Sequence, residues 1–204
     1  MKPKPVDPYA ISKVASEDVL KNLCNLNNIE WVIAVPHNII GPRQKYDDPF
    51  RNVVSIMINR MLQGKAPIIY GDGNQKRSFS DIEDCIFCLD KMMFDENINS
   101  EVINIGPDED FITINQLYEL ISNKMKYNKG AIYKDDRPNE VKYANCSSDK
   151  ARALLNFSTS VNLDKSLDKL IHFIKKEGPQ DFEYNYDLEI VNKKTPETWT
   201  KKLF

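Results

Sequence analysis

An α/β fold built around a parallel sheet is predicted for this 204-residue chain. Segments of helical periodicity alternate with short runs of strand length, the continuous apolar Trp31-Val-Ile-Ala-Val35 and the predominantly apolar Val102-Ile-Asn-Ile105. Runs of that kind mark strands covered on both faces, and the intervening helices are the natural cover. The length allows one sizeable domain or two small ones.

Behind a proline-rich entry, Tyr9 to about Asn27 reads as an amphipathic helix whose apolar face holds Ile11, Val14, Ala15, Val19, Leu20 and Leu23. The strand at 31–35 runs into the loop Pro36-His-Asn-Ile-Ile-Gly-Pro-Arg43. In open α/β sheets ligands bind where strands end at their carboxyl side, so chemistry is expected in this loop. Arg51 to Leu62 is helical and stops at Gly64, and Ile68-Ile-Tyr70 is a short strand entering the turn Gly71-Asp-Gly73. Asp81 to Phe94 is a second apolar helix, and the strand at 102–105 closes at Gly106-Pro107. Thr113 caps a helix reaching about Lys126, with Ile114, Leu117, Leu120 and Ile121 at helical spacing. Ile132-Tyr133 is a brief strand before the polar loop 134–140. Two further helices are predicted, a short capped one at 147–155 and another at 163–176. From Gly178 the chain is polar and aromatic without periodicity, and a loosely packed tail is expected.

The 28 basic and 30 acidic residues nearly balance, leaving no basic excess to suggest nucleic acid. Membrane association is not expected, because no apolar run approaches the ~20 residues of a membrane span. Met1-Lys-Pro-Lys-Pro5 lacks a hydrophobic signal region, which points to the cytoplasm. Cys85 and Cys88 form a lone C-x-x-C. Without a second ligand pair or a thioredoxin-like context they read as buried thiols on a helix, and no metal site is expected.

Tyr9 and Lys13 carry the first chemical signal. Four residues apart on a helix, they stack an ammonium beside a phenol on one face. A phenol titrates near ~10, and a neighbouring cation favours its phenolate. Such a tyrosine can take the proton of a sugar or alcohol hydroxyl while a hydride leaves the carbon beneath it. As a bare pattern, Tyr-x-x-x-Lys is equally a solvated surface pair.

Four further segments follow in order: Asn38-Ile-Ile-Gly-Pro-Arg43; Ile69-Tyr-Gly-Asp-Gly73 with Lys76-Arg-Ser-Phe79; Val102-Ile-Asn-Ile-Gly106; and Arg137-Pro-Asn-Glu140 with Ser148-Asp-Lys-Ala-Arg152. With Tyr9 and Lys13, this ordered set resembles the extended short-chain dehydrogenase/reductases, and among them the NAD-dependent nucleotide-sugar epimerases and dehydratases of the UDP-glucose 4-epimerase type. The resemblance runs from about residue 3 to residue 176. It implies the C-terminal part of a Rossmann-like parallel sheet, interleaved over 1–177 with a smaller mixed α/β substrate-binding lobe, and then the polar tail 178–204.

The resemblance also implies roles. Tyr9 matches the active-site base, and Lys13 its partner, which in the family also bonds the nicotinamide ribose. Pro36 and His37 match positions lying against the nicotinamide of NAD. Asn38 matches a contact to the substrate diphosphate, and Asn52 and Val53 a backbone-rich loop at the nucleotide. Tyr70 matches a position beside the base, Arg77 and Arg137 the pair holding the diphosphate, and Glu140 a residue on the nucleotide ribose. Physical chemistry supports the arginines independently, since each offers a planar fork of donors suited to paired phosphate oxygens. Asp135, Asp136 and Glu140 are the competing partners for Arg137. His37 reads equally as a packing residue, and Glu140 equally as a solvated charge.

Two departures from the family pattern stand out. Ser78 and Asp81 are unusual in Arg77-Ser-Phe-Ser-Asp-Ile-Glu-Asp84, with consequences for the sugar pocket or for local packing. The larger one is that the Gly-rich turn seating the NAD pyrophosphate, and a Ser or Thr bonding the substrate hydroxyl, are expected before the tyrosine and do not occur. The expected activity is 4-epimerisation of a UDP-sugar, by oxidation at C4 and re-reduction on the other face. A complementing N-terminal half would supply the NAD cradle, and a homodimer through the tyrosine helix is plausible by family. A 4,6-dehydratase, a decarboxylase and an inactive nucleotide-sugar-binding remnant remain the alternatives.

Overall fold

Parallel strand pairs and the helices packed on them organise the chain in a computed structural model that describes residues 3–5, 7–109, 111–137, 140–144, 146–185, 187–188, 191–193 and 195–204. The order is α1 (Pro8–Leu26), β1 (Val32–Pro36), β2 (Ile39–Ile40), α2 (Val53–Leu62), β3 (Ile68–Tyr70), β4 (Lys76–Arg77), β5 (Ser80–Asp81) and α3 (Ile82–Phe94). Then come β6 (Glu101–Ile105), β7 (Ile112–Thr113), α4 (Ile114–Met125), β8 (Ile132–Lys134), β9 (Tyr143–Ala144), α5 (Asp149–Leu155), α6 (Leu163–Glu177) and α7 (Glu197–Thr200).

The two long apolar runs pair with each other. β1 lies parallel to β6, with Val32 opposite Glu101 and Pro36 opposite Ile105. β2 pairs parallel with β5 and β3 with β8, while β4 is flanked by antiparallel β7 and parallel β9. The predicted α/β architecture is therefore present.

Two cores form. One gathers α2, α4 and α6 through Val54, Met57, Ile58, Leu117, Ile121, Leu167, Leu170 and Ile174, with Ile69 and Phe79 beneath them. The other packs α3 and α5 against β6 through Cys85, Cys88, Met92, Ile103, Ile105, Ala151 and Leu155. Both thiols of the C-x-x-C thus lie in the core, and burial pushes Cys85 up to about 12 and Cys88 to about 11. They are packing residues held as neutral thiols.

Local chemistry sets the helix boundaries. The Asp7 side chain accepts from the Ala10 N–H at 2.8 Å with Pro8 in the first turn, so α1 starts one residue earlier than its periodicity indicates. Thr113 and Gln116 form a reciprocal capping box on α4. Asp81 caps α3 by accepting from Glu83 N–H at 2.8 Å, and it takes the Ser166 hydroxyl at 2.6 Å. Its departure from the family pattern therefore ties α3 to α6. Ser148 precedes α5 without a side-chain cap, because its hydroxyl donates to the Gly106 carbonyl instead.

Three expectations need correction. α1 has no buried residue. The half-buried stripe of α1 is Val14, Glu17, Lys21 and Cys24, while Ile11, Val19, Leu20 and Leu23 are exposed. β1 is only half-buried from Val32 to Val35, not covered on both faces. Val32 and Ala34 meet the α3–α5 core, whereas Ile33 and Val35 point to the opposite face of the pleat. The segment after Gly178, finally, is docked at several points, although much of it stays exposed. The Asn59 side chain donates to the Gln180 carbonyl at 2.8 Å, Arg60 to that of Leu203 at 2.8 Å, and Thr198 is fully buried. Buried polar groups on α2 need acceptors, and the tail supplies them.

Candidate nucleotide-sugar site

β3, the start of α2 and the loops around β4 enclose a cavity of about 240 Å³. All seven residues expected around a nucleotide sugar line it: Asn38, Asn52, Val53, Tyr70, Arg77, Arg137 and Glu140. Chain separations of up to a hundred residues are closed by the fold. Pro138 and Asn139 of the expected arginine motif lie outside the described residues.

Each wall residue is placed by local structure. Asn38 adopts φ 44°, a left-handed conformation asparagine tolerates, and its amide donates to the Ser78 carbonyl at 2.8 Å. Asn52 caps α2 by accepting from Val54 N–H at 2.9 Å, so its own carboxamide is occupied and the helix start faces the cavity. A helix N-terminus favours negative charge. The turn Gly71-Asp-Gly73 uses positive φ of 67° and 73°. A Cβ there would collide with the side chains of Asp136 and Asn115 respectively, so the glycines admit protein side chains, not a ligand.

The electrostatics favour an anion. Arg51, Arg77 and Arg137 line the cavity against one carboxylate, Glu140. Arg77 Nη2 bonds Glu140 Oε1 at 2.6 Å, both side chains being 16% exposed. Burial holds Arg77 below its ordinary range and the charge of Arg137 adds to that depression, while Glu140 opposes it. Two guanidiniums that repel each other across one cavity are relieved by a polyanion. The Arg137 guanidinium stacks on the Tyr70 ring, 4.2 Å from its centroid. Its Nε is buried with no hydrogen-bond partner among the described residues, a donor suited to an acceptor-rich ligand. Ser78, the second departure from the family pattern, is fully buried and is not part of the wall.

The four residues expected at the cofactor lie apart from this cavity. Tyr9 is 71% exposed, and the Lys13 ammonium lies over its ring, 5.4 Å from the centroid. Pro36 ends β1 and His37 follows, its N–H donating to the Ile105 carbonyl at 3.3 Å. Burial lowers the His37 pKa, opposed by hydrogen bonding to the backbone of Ile105 and Pro107 and by the charge of Asp108. Cys146 Sγ is 3.2 Å from His37 Nδ1. Gly106, at φ 143°, is where the chain passes under that imidazole; a Cβ there would come within 2.3 Å of the ring. His37 is thus packed against Gly106 and Cys146 on one side.

Arg51, Gln75 and Phe204 join the wall without having been singled out in the sequence. Arg51 and Gln75 adjoin motifs that were recognised, so adjacency was the available signal. For Phe204 there was none.

The cavity and the tyrosine–lysine pair of α1 are thus carried by separate parts of an α/β chain built on parallel strand pairs. The NAD-dependent epimerase/dehydratase family profile matches residues 1–106. The chain belongs to that family. It is similar to the crystal structure of UDP-glucose 4-epimerase with UDP-glucose from Thermotoga maritima, with a TM-score of 0.79 and 29% identity, covering 86% of this chain and 55% of that one. It is likewise similar to UDP-glucuronic acid 4-epimerase from Bacillus cereus in complex with UDP-glucuronic acid and NAD, with a TM-score of 0.78, 29% identity, and coverage of 87% and 55%. The UDP-N-acetyl-alpha-D-glucosaminuronate decarboxylase of Bacillus cytotoxicus is 36% identical over 102 residues, 50% of this chain and 31% of that protein. The chain spans about half the length of the curated relatives it matches. Among the described residues, no helix is long and apolar enough to cross a membrane.

Proposed function

We propose that this chain carries the substrate-binding part and the catalytic tyrosine of an NAD-dependent UDP-sugar 4-epimerase. The observation that carries the proposal is the convergence of seven expected substrate residues on one arginine-rich cavity.

In this assignment Arg77 and Arg137 clamp the diphosphate, and Glu140 holds Arg77 in place and stands close to the ribose. The start of α2, at Asn52 and Val53, faces the nucleotide. Asn38 holds the loop after β1 to Ser78 and so sets the edge of the site. Tyr9 takes the proton of the sugar C4 hydroxyl and later returns it, with Lys13 stabilising the phenolate.

The residues present fit the nicotinamide end of NAD. Tyr9 is accessible in the first turn of α1 with Lys13 against it, and Pro36 lies exposed at the end of β1. They do not provide for the pyrophosphate, because the seven glycines include no G-x-G-x-x-G or G-x-x-G-x-x-G turn. NAD, when bound, supplies the acceptor and donor of the C4 hydride. A glycine turn supplied from outside these residues, as by a complementing N-terminal half, would complete the cofactor site in this proposal.

The experiment is incubation with NAD and each of UDP-glucose, UDP-N-acetylglucosamine, UDP-glucuronate and dTDP-glucose. It is run with the chain alone and with a separately expressed glycine-turn half. Little turnover is expected alone, and a C4-epimer in the complemented reaction. Release of CO₂ from UDP-glucuronate would move the assignment to a decarboxylase, and a 4-keto-6-deoxy product to a dehydratase. Epimerisation by the chain alone would refute the need for a second half.

A further inference from the structure

We infer that residues 196–204 form a permanent wall of the cavity, and that the Phe204 ring is the surface against which the nucleotide's base packs. The inference rests on the cavity being a nucleotide-sugar site.

The segment is anchored too firmly to be a loose cover. Thr198 is fully buried and hydrogen-bonded through its hydroxyl to the Tyr70 hydroxyl. Its N–H also donates to the Tyr70 oxygen at 3.3 Å. The Tyr184 hydroxyl donates to the Thr198 carbonyl at 3.1 Å and accepts from Phe204 N–H at 3.1 Å, stapling both ends of the segment to one side chain. Trp199 packs edge-on against Phe50 at 5.2 Å between centroids.

Arg60 of α2 contributes most. Only 4% exposed, it gives its Nε to the Ala66 carbonyl and its Nη1 to the Leu203 carbonyl, each at 2.8 Å. Its guanidinium faces the Phe204 ring at 5.5 Å. A buried cation is tolerated only where such partners compensate its lost hydration. Lifting the segment would strip Arg60 of a carbonyl and a ring at once. That favours a fixed wall over a gate.

Three aromatic rings line the cavity: Tyr70, Phe79 and Phe204. Tyr70 is covered by the Arg137 guanidinium, and Phe79 is 5% exposed within the larger core. Phe204 is half-buried: the Phe182 ring lies 5.4 Å from its own and the Arg60 guanidinium 5.5 Å away, and the residue still lines the cavity. It shares the cavity with Val53 and Met57 of α2, where the nucleotide, not the sugar, is expected. A heterocyclic base stacks on any aromatic face, whereas a diphosphate gains nothing from one.

That difference defines the test. The 204-residue chain is titrated calorimetrically with UDP and, separately, with inorganic pyrophosphate, using the wild type, Phe204→Leu and Phe204→Ala. The leucine variant keeps apolar volume beside Arg60 but removes the planar face, and thermal unfolding reports whether it remains folded. Phe204→Leu is expected to weaken UDP about tenfold and to leave pyrophosphate within about twofold. Unchanged UDP affinity in both variants would overturn the inference, as would equal weakening of both ligands, which marks a purely structural ring. Tighter UDP binding would show a cover that must be displaced, and overturns it too. If the wild type binds neither ligand, the nucleotide-sugar reading of the cavity fails first and this inference with it.

Discussion

The cavity wall and the tyrosine helix meet solvent in opposite ways. Around the cavity, Met57 and Ile69 are about 1% exposed, and even Arg60 is buried and hydrogen-bonded. Along α1, by contrast, Ile11, Val19 and Leu23 are each more than half exposed, and α3 likewise leaves Phe87, Met93 and Phe94 in solvent. Both regions carry residues expected from the family pattern, but only the cavity is walled by this chain's own packing. A ligand pocket made of buried walls is preorganised, whereas a base on an uncovered helix is not. Recognition and chemistry are therefore separable here, and each can be broken without the other.

The largest effect is expected at Arg77. Arg77→Ala removes a charged donor from the cavity and leaves Glu140 facing the incoming diphosphate, so UDP affinity measured by calorimetry should fall about 100-fold. A change below about threefold would mean that the 2.6 Å pair with Glu140 is a structural bridge alone.

A smaller effect concerns acid stability near Cys146 and Asp108. Burial sets the His37 pKa below its ordinary value of ~6.5, so the unfolded chain binds this proton more readily than the folded one. The contribution is fully present above ~6.5 and is lost as pH falls from there through the folded-state pKa. Its slope cannot exceed about 1.4 kcal/mol per pH unit for one proton. Urea midpoints between pH 7 and 5 should decline less steeply in His37→Gln than in the wild type. Parallel declines would place the titration elsewhere.

The smallest expected effect tests the separation most directly. Tyr9→Phe should leave UDP affinity within about twofold, because Tyr9 is not part of the cavity wall. The same change should abolish turnover in the complemented reaction, with Tyr9→Phe losing the proton acceptor but not the ring that Lys13 covers. A tenfold loss of UDP affinity would join the two regions into one site.

Much of this organisation was legible in the residues. Apolar runs located β1 and β6, and periodicity located the six longer helices to within a few residues. The helix of residues 114–125 was announced by Thr113, whose capping box fixes it locally. Two-residue strands such as β4 and β7 were not legible, because they are defined by pairing, not by a pattern in either segment. Arg77 and Arg137 were readable as phosphate-ligand candidates from their chemistry and motif, and both line the cavity. That Arg137 stacks on Tyr70 while Arg77 holds Glu140 depends on distances across the chain that spacing does not encode. The aromatic tail was the largest surprise. Thr198, Trp199 and Phe204 show no period, and what orders them is demand from elsewhere: the Tyr70 hydroxyl and the Arg60 guanidinium each need a partner. The exposed face of α1 misled for the opposite reason. Its periodicity states which side is apolar, not whether anything lies against it.

The β1–β6 ribbon has one further consequence. Among the described residues each of its strands has a single neighbour, so the outer edges present backbone donors and acceptors in open array. Main-chain edges of this sort do not discriminate, since any extended peptide offers the same groups. Selectivity for whatever extends this ribbon must then come from side chains, such as the exposed Ile86 and Phe87 of α3, the helix packed on β1. The strands supply adhesion, and the helices decide to whom.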